Sequence, residues 1–196
     1  MNIYLLRHGE VENPKNVLYG RLPDFHLSEQ GRVHIKRTAE EFIGKNIKKI
    51  YSSPLERAVE TSKIVLEVLG LKETDLIIDE RLIESQADKW QGTDLEVYKK
   101  TVVYSMSPKT QTEVELISHA GDRVLSVING PIKDRGEDVV VVSHGDPLVG
   151  ALINLTDDWS YVEHSPNERT RKYIPKGEFV ELKNKNDSWE IVKSSY

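Results

Sequence analysis

The amino-acid sequence predicts an α/β fold, a three-layer α/β/α arrangement around a central, mostly parallel sheet. Three observations carry this. Short apolar runs alternate with helix-length segments from one end of the chain to the other. One run, Val139-Val140-Val141-Val142, is continuously β-branched, as suits a strand covered on both faces. The length of 196 residues, with 38% hydrophobic and 30% charged residues, fits one globular domain spanning 1–196. A domain of that size buries roughly 70% of its unfolded surface, enough for a core with a pocket cut into it. No linker, composition break or solenoid-length repeat divides the chain.

The elements follow in order. Asn2 to Leu6 is an apolar strand ending at Arg7. The stretch from Glu12 to Phe25 holds Asn13, Pro14, Asn16, Gly20 and Pro23 and is expected to be a loop. Ser28 is a candidate N-cap for a helix with apolar positions Val33, Ala39, Phe42 and Ile43, ending near Gly44. Ile47 to Tyr51 is a second strand. After it Ser53 can cap and Pro54 can take the first position of a helix running from Leu55 to Leu69 and stopping at Gly70. Leu76 to Ile78 is a third strand candidate, followed by the irregular stretch Arg81 to Gly92. Leu95 to Ser107 is expected to be helical in part, and Glu113 to Asn129 a helix punctuated by Gly130-Pro131. Asp138 to Ser143 is the central strand, with a short helix through Leu148 to Leu155 behind it. Gly177 to Val192 suits a terminal hairpin or a pair of edge strands.

Composition excludes several classes of function. The net charge is −5, without the basic footprint that nucleic acid calls for. An anion bound by this chain must therefore be held by local positive charge, which makes individual arginines informative. There is no cysteine, so disulfides, thiolate nucleophiles and cysteine-ligated zinc are ruled out. No apolar run is long enough to cross a bilayer, and no signal-peptide pattern opens the chain. No membrane partner is expected, and the cytoplasm is the default location.

Two places share one pattern: an apolar strand, one residue, then His-Gly-acid. They are Leu5-Leu6-Arg7-His8-Gly9-Glu10 and Val142-Ser143-His144-Gly145-Asp146. Ligands of parallel sheets bind beyond the carboxyl ends of the strands, so both histidines stand where a ligand belongs. The other histidines, His26, His34, His119 and His164, lack that setting and are assigned surface or capping roles. Arg7 precedes the first histidine, and Arg57 lies in the first turns of a helix whose N-terminus points at the same rim. Arginine forks, a helix N-terminus and two histidines together match a phosphate. Two histidines and a carboxylate could also serve a metal, but arginine beside a cation is repulsive and no close ligand spacing such as HExxH occurs. No P-loop is present either. What remains is a histidine nucleophile at phosphorus, kept neutral and oriented by a hydrogen bond on its other nitrogen. A backbone carbonyl in the following glycine turn could provide that bond. A leaving alkoxide needs a proton, and Glu10, Glu80, Glu84 and Asp146 are all candidates to give it.

Four blocks in order, Arg7-His8-Gly9-Glu10, Ser52-Ser53-Pro54-Leu55-Glu56-Arg57-Ala58 before Thr61, Asp79-Glu80-Arg81-Leu82-Ile83-Glu84, and Ser143-His144-Gly145, resemble the histidine phosphatase (phosphoglycerate mutase-like) superfamily. Looser similarity extends through Tyr19-Gly20-Arg21 and Leu27-Ser28-Glu29-Gln30-Gly31. The resemblance implies that His8 is phosphorylated, that Arg7, Arg57 and His144 hold the phosphoryl group, and that Glu84 is the acid and later the base. It also implies that Asn13 or Asn16, with Gly20, lines the phosphate from the loop, and that neither metal nor organic cofactor is needed. The tryptophan-asparagine pair common after this first block is replaced by Glu12-Asn13-Pro14, and Asp88 stands where a glycine is frequent; both changes bear on the substrate pocket. That pocket is expected between the Asn13 to Phe25 loop and the Trp90 region. The expected function is that of a metal-independent phosphomonoesterase acting on a small phosphorylated metabolite. A cofactor-dependent phosphoglycerate mutase and a non-catalytic phosphate-binding module are the alternatives. Mutases of this family typically carry additional segments over the site, whereas only a short span separates Gly92 from the helix near Glu113.

Overall fold

The polarity of the strands decides how this chain is layered. A computed structural model describes residues 1–103, 115–157, 173–185 and 188–195. Its sheet has six strands: β1 (Asn2–Arg7), β2 (Ile47–Ser52), β3 (Leu76–Ile78), β4 (Asp138–Ser143), β5 (Phe179–Lys185) and β6 (Ser188–Ser194), in the order β3-β2-β4-β1-β5-β6. The first four are mutually parallel, while β5 runs antiparallel to β1 and β6 antiparallel to β5. The tail is thus a hairpin on one edge of a parallel sheet, which joins the two alternatives that its sequence allows.

Side chains alternate across the strands, so each face of the sheet has its own core. Tyr4, Leu6, Ile50, Val140 and Val142 meet α1 (Glu29–Glu40) and α2 (Glu56–Leu69) on one face. Ile3, Leu5, Tyr51, Val139 and Val141 meet α4 (Ile117–Val127) and α5 (Gly145–Thr156) on the other. The run Val139–Val142 is buried throughout because both of its faces are covered. A short α3 (Leu95–Tyr98) continues as a π-helical turn to Val103; the rest of the predicted Leu95 to Ser107 segment, residues 113–114 and His164 lie outside the described residues. No helix among the described residues is long and apolar enough to cross a membrane.

Several sequence expectations are corrected. The buried stripe of α1 is Ile35 and Ala39, continued by Phe42 in the turn behind the helix, whereas Val33 is 44% and Ile43, in the same turn, 63% exposed. Ser28 does cap α1, accepting the Gly31 N–H at 3.0 Å. The next helix starts later than predicted: Leu55 is its N-cap, and Ser53 and Pro54 stand before it. Gly130-Pro131 does not end its helix but kinks it. The chain passes through a π turn at Ile128–Ile132 and stays helical to Arg135, with Gly130 at φ −107°, ψ −108°. The helix after β4 opens at Gly145, immediately behind His144.

Helices α4 and α5 touch backbone to backbone. A Cβ on Gly150 would collide with the carbonyl oxygen of Ile117, and one on Gly121 with the Gly150 carbonyl group. Gly150→Ala is expected to force the pair apart and cost about 1–3 kcal/mol of stability, as overpacking does. Urea unfolding of the purified variant measures it.

Candidate active site

Strand register brings the site together. Arg7 pairs with Ser143 across β1 and β4, and Ser52 with Val142 across β2 and β4. His8 and His144, which follow, therefore emerge level with each other at the carboxyl end of the sheet, with Ser53 one register position short of His144. The His8 and His144 rings lie 5.1 Å apart between centroids.

His8 is buried. Its Nδ1 lies 2.7 Å from the Gly9 carbonyl, and Arg57 Nε lies 3.3 Å from its Nε2. A carbonyl only accepts and an arginine N–H only donates. Both contacts thus assign the same neutral tautomer, with the proton on Nδ1 and a lone pair on Nε2. Burial, then the charges of Arg57 and Arg7, hold its pKa well below the ordinary histidine value. The glycine-turn carbonyl anticipated from sequence is the one that orients the ring. Thr61 locks that turn, accepting the Gly9 N–H at 3.1 Å while donating to the Arg57 carbonyl at 2.7 Å.

His144 is also buried and held neutral by burial and by Arg57. Its Nε2 sits 2.7 Å from Ser53 Oγ, which accepts the Leu55 N–H at 3.3 Å. Among the described residues Ser53 has no other acceptor in reach, so its hydroxyl donates to Nε2 and His144 carries its proton on Nδ1. That Nδ1 has no hydrogen-bond partner among the described residues, and neither do Arg7 Nε and Arg57 Nη1, all three buried. Buried donors without partners are costly and rare; three of them on clustered residues mark a place built for an anion. Arg57 is wholly buried, donates through Nη2 to the Gly20 carbonyl at 2.7 Å and lies with its guanidinium carbon 4.8 Å from the Tyr19 ring centroid. Arg7 donates through Nη1 to the Ile174 carbonyl at 2.9 Å.

The four acid candidates separate. Glu10 is exposed and accepts from Ser28 Oγ at 3.0 Å, and Glu80 is exposed in a short 3-10 turn. Asp146 accepts from the Tyr173 hydroxyl at 2.6 Å. Glu84 reaches the histidines, its Oε2 3.9 Å from His144 Nδ1 and its side chain 17% exposed. Burial, seconded by the negative charge of Asp146, pushes its pKa up to about 7 against the pull of Arg57 and Arg7. A carboxyl poised there can hold or release a proton near neutrality.

The loop residues expected at the phosphate make the following contacts within the protein. Asn13 spends its amide on Val17, donating to that carbonyl at 2.8 Å and accepting its N–H at 3.1 Å. Asn16 is exposed and turns the chain at φ +48°. Gly20 acts through its carbonyl on Arg57, and at φ +46° it leaves no room for a Cβ beside Gln91. The loop and the Trp90 region do meet: Val17 bridges to Asp94, and Leu18 exchanges backbone hydrogen bonds with Gly92 and Thr93. His26 pairs with Glu60, and His34 bonds Glu178 at 2.8 Å, both with half-exposed rings. Among the described residues no group of three or more histidines and carboxylates could hold a metal ion.

The roles of three participants went unseen in the sequence. Ser53 matched a helix cap and instead sets the His144 tautomer. Tyr19 entered only through the looser similarity of Tyr19-Gly20-Arg21, with no role assigned, and forms the wall over Arg57. The turn around Lys176 carried no signal, yet Gly177 donates its N–H to the Arg7 and His8 carbonyls at 3.2 and 3.1 Å. Lys176 adds positive charge that helps keep His8 neutral, and its Nζ lies 5.9 Å from the Tyr19 centroid.

Known proteins resemble this chain over most of its length. The profile of the histidine phosphatase superfamily (branch 1) matches residues 3–194. A putative phosphoserine phosphatase 2 of Hydrogenobacter thermophilus is 31% identical over 79% of this chain and 78% of its own. A 2,3-bisphosphoglycerate-dependent phosphoglycerate mutase of Thermoplasma acidophilum is 30% identical over 76% of this chain and 72% of its own. Among solved structures, Bacillus stearothermophilus YhfR superposes with a TM-score of 0.78 at 23% identity, covering 97% of this chain and 95% of that one. With the family profile spanning nearly its whole length, this chain belongs to branch 1 of the histidine phosphatase superfamily.

Proposed function

We propose that the chain, acting as a single domain, hydrolyses phosphate monoesters of small metabolites in two steps through a phosphohistidine on His8. The observation that carries this is the pairing of a neutral His8, its lone pair on Nε2, with a carboxyl on Glu84 whose pKa lies at about 7. In the first step Nε2 attacks phosphorus, the ester P–O bond breaks, and protonated Glu84 gives its proton to the leaving oxygen. In the second, Glu84 takes a proton from water as the water oxygen attacks phosphorus. The N–P bond then breaks, returning neutral His8 and protonated Glu84. Throughout, Nδ1–H stays on the Gly9 carbonyl. Arg7 Nε, Arg57 Nη1 and His144 Nδ1 offer donors to the phosphoryl oxygens, where positioning and charge supply most of the catalysis.

The test is released phosphate from a panel of phosphorylated metabolites, run beside isomerisation of 3-phosphoglycerate with added 2,3-bisphosphoglycerate. Hydrolysis without isomerisation is expected. Isomerisation without hydrolysis makes the chain a mutase, which shares the nucleophile. The short span between Gly92 and α4 supports the phosphatase. Phosphate binding with neither reaction leaves a binding module, against which the joint presence of nucleophile and acid speaks.

The pH profile follows from the same two groups. Glu84 must be protonated for the first step, so kcat/KM for an alkyl phosphate should fall about tenfold per unit above roughly pH 7, after correction for substrate ionisation. His8 must be neutral, and its lowered pKa displaces the acid limb well below 6.5. Glu84→Gln should abolish the alkaline limb and lower kcat/KM for alkyl phosphates by about 10²–10⁴-fold, with a smaller loss of kcat/KM for nitrophenyl phosphate, whose leaving group needs no proton. Equal losses on both esters would count against the acid.

A further inference from the structure

Glu84 sits where no regular element holds it. The chain leaves one 3-10 turn at Leu82 and enters the next at Asp88. Side chains from distant parts of the fold grip the backbone between them. Arg123, on α4, donates through Nη1 to the carbonyls of Arg81 and Ile83 at 2.6 and 3.1 Å. Arg21, in the loop after β1, donates through Nε to the carbonyl of Glu84 itself at 2.8 Å. Glu115, just before α4, accepts the Gln86 N–H at 3.1 Å and returns its own N–H to the Gln86 carbonyl at 2.8 Å.

These three residues also hold one another. Arg123 clasps Glu115 with two bonds of 2.8 and 2.9 Å, and Arg21 Nη2 reaches the same carboxylate at 3.3 Å. The Glu115 carboxylate is 16% exposed. Burial acts to raise its pKa, but the hydrogen bonds and charge of Arg123 prevail and keep it below the usual carboxylate range. Bidentate arginine contacts of this kind fix geometry as well as adding energy.

We propose that Arg21, Glu115 and Arg123 are positioning residues that set where the Glu84 carboxyl lies relative to the leaving oxygen. The proposal rests on the phosphatase reading above. None of the three touches the reacting atoms; their effect passes through the backbone on both sides of Glu84. Proton transfer demands a donor within hydrogen-bond reach, and a supporting shell that loosens by an ångström forfeits it.

The test compares an alkyl phosphate with nitrophenyl phosphate in Arg123→Lys and Glu115→Gln, alone and combined with Glu84→Gln. Lysine keeps the charge of Arg123 but loses its fork. Each single variant should lower kcat/KM, which reports the first phosphoryl transfer alone, roughly tenfold or more on the alkyl ester, while kcat/KM for nitrophenyl phosphate stays within about threefold. Added to Glu84→Gln, the same changes should cost nothing further on either ester. Equal losses on the two esters, or a loss that persists beside Glu84→Gln, overturns the clamp. A Glu84→Gln variant with no leaving-group dependence overturns the acid role itself, and the clamp with it. Should Arg123→Lys fail to fold, Arg21→Lys is read by the same criteria.

Discussion

Replacing His8 by alanine is expected to lower kcat/KM by on the order of 10⁴–10⁶-fold, the scale on which nucleophile deletions act. No other side chain at the site can substitute. His144 turns Nδ1–H, a donor, toward the cluster, and its Nε2 lone pair is taken by Ser53. Direct attack by water would need the carboxylate form of Glu84 as base in the same step in which its protonated form is needed as acid. Rapid quench with a radiolabelled ester is the second measurement. The wild type should yield an acid-labile, alkali-resistant adduct, and His8→Ala none. Full turnover in the variant would remove the phosphohistidine route altogether.

Arg57→Met is expected to lower kcat/KM by about 10³–10⁵-fold, the range seen when an arginine facing a transferring phosphoryl group is lost. It should also leave the protein at least as stable as the wild type. Arg57 is wholly buried, and among the described residues its guanidinium donates only to the Gly20 carbonyl and to His8. It has no carboxylate within salt-bridge distance among the described residues, and burial lowers its pKa. A buried charge with so little compensation costs stability, and apolar side chains of similar volume often restore it. Steady-state kinetics and thermal unfolding on one preparation check both halves. The loss of this charge should also let the His8 pKa rise toward its ordinary value, shifting the acid limb of the pH profile upward.

What the sequence revealed follows the distance over which each feature is decided. The strand ends at Arg7-His8 and Ser143-His144 were legible because the chemistry sits next to the element that places it. The three layers were legible because alternation and β-branching are local signals. The start of α2 was misjudged because Ser53 satisfies the local rule for a cap while its hydroxyl is claimed by His144, 91 residues away. Gly130-Pro131 misled for a related reason, since packing of Ile128 and Ile132 in the core carries the helix past its local breakers. Picking Glu84 from four acids required burial, a property of the assembled fold, and only the family resemblance supplied it from sequence. Arg123, Glu115 and Lys176 left no trace at all, because their partners are scattered along the chain.

The place of β1 in the sheet bears on how the enzyme comes into being at the ribosome. The strand that leads into His8 is synthesised well before both of its neighbours, β4 and β5, which lie in the last third of this sequence. Until they emerge, a nascent polypeptide has a sticky, unpaired apolar ribbon and no centre to turn over substrate. Competence therefore arrives late and all at once, and an aborted translation product lacking β4 and β5 would be inert and a burden for chaperones.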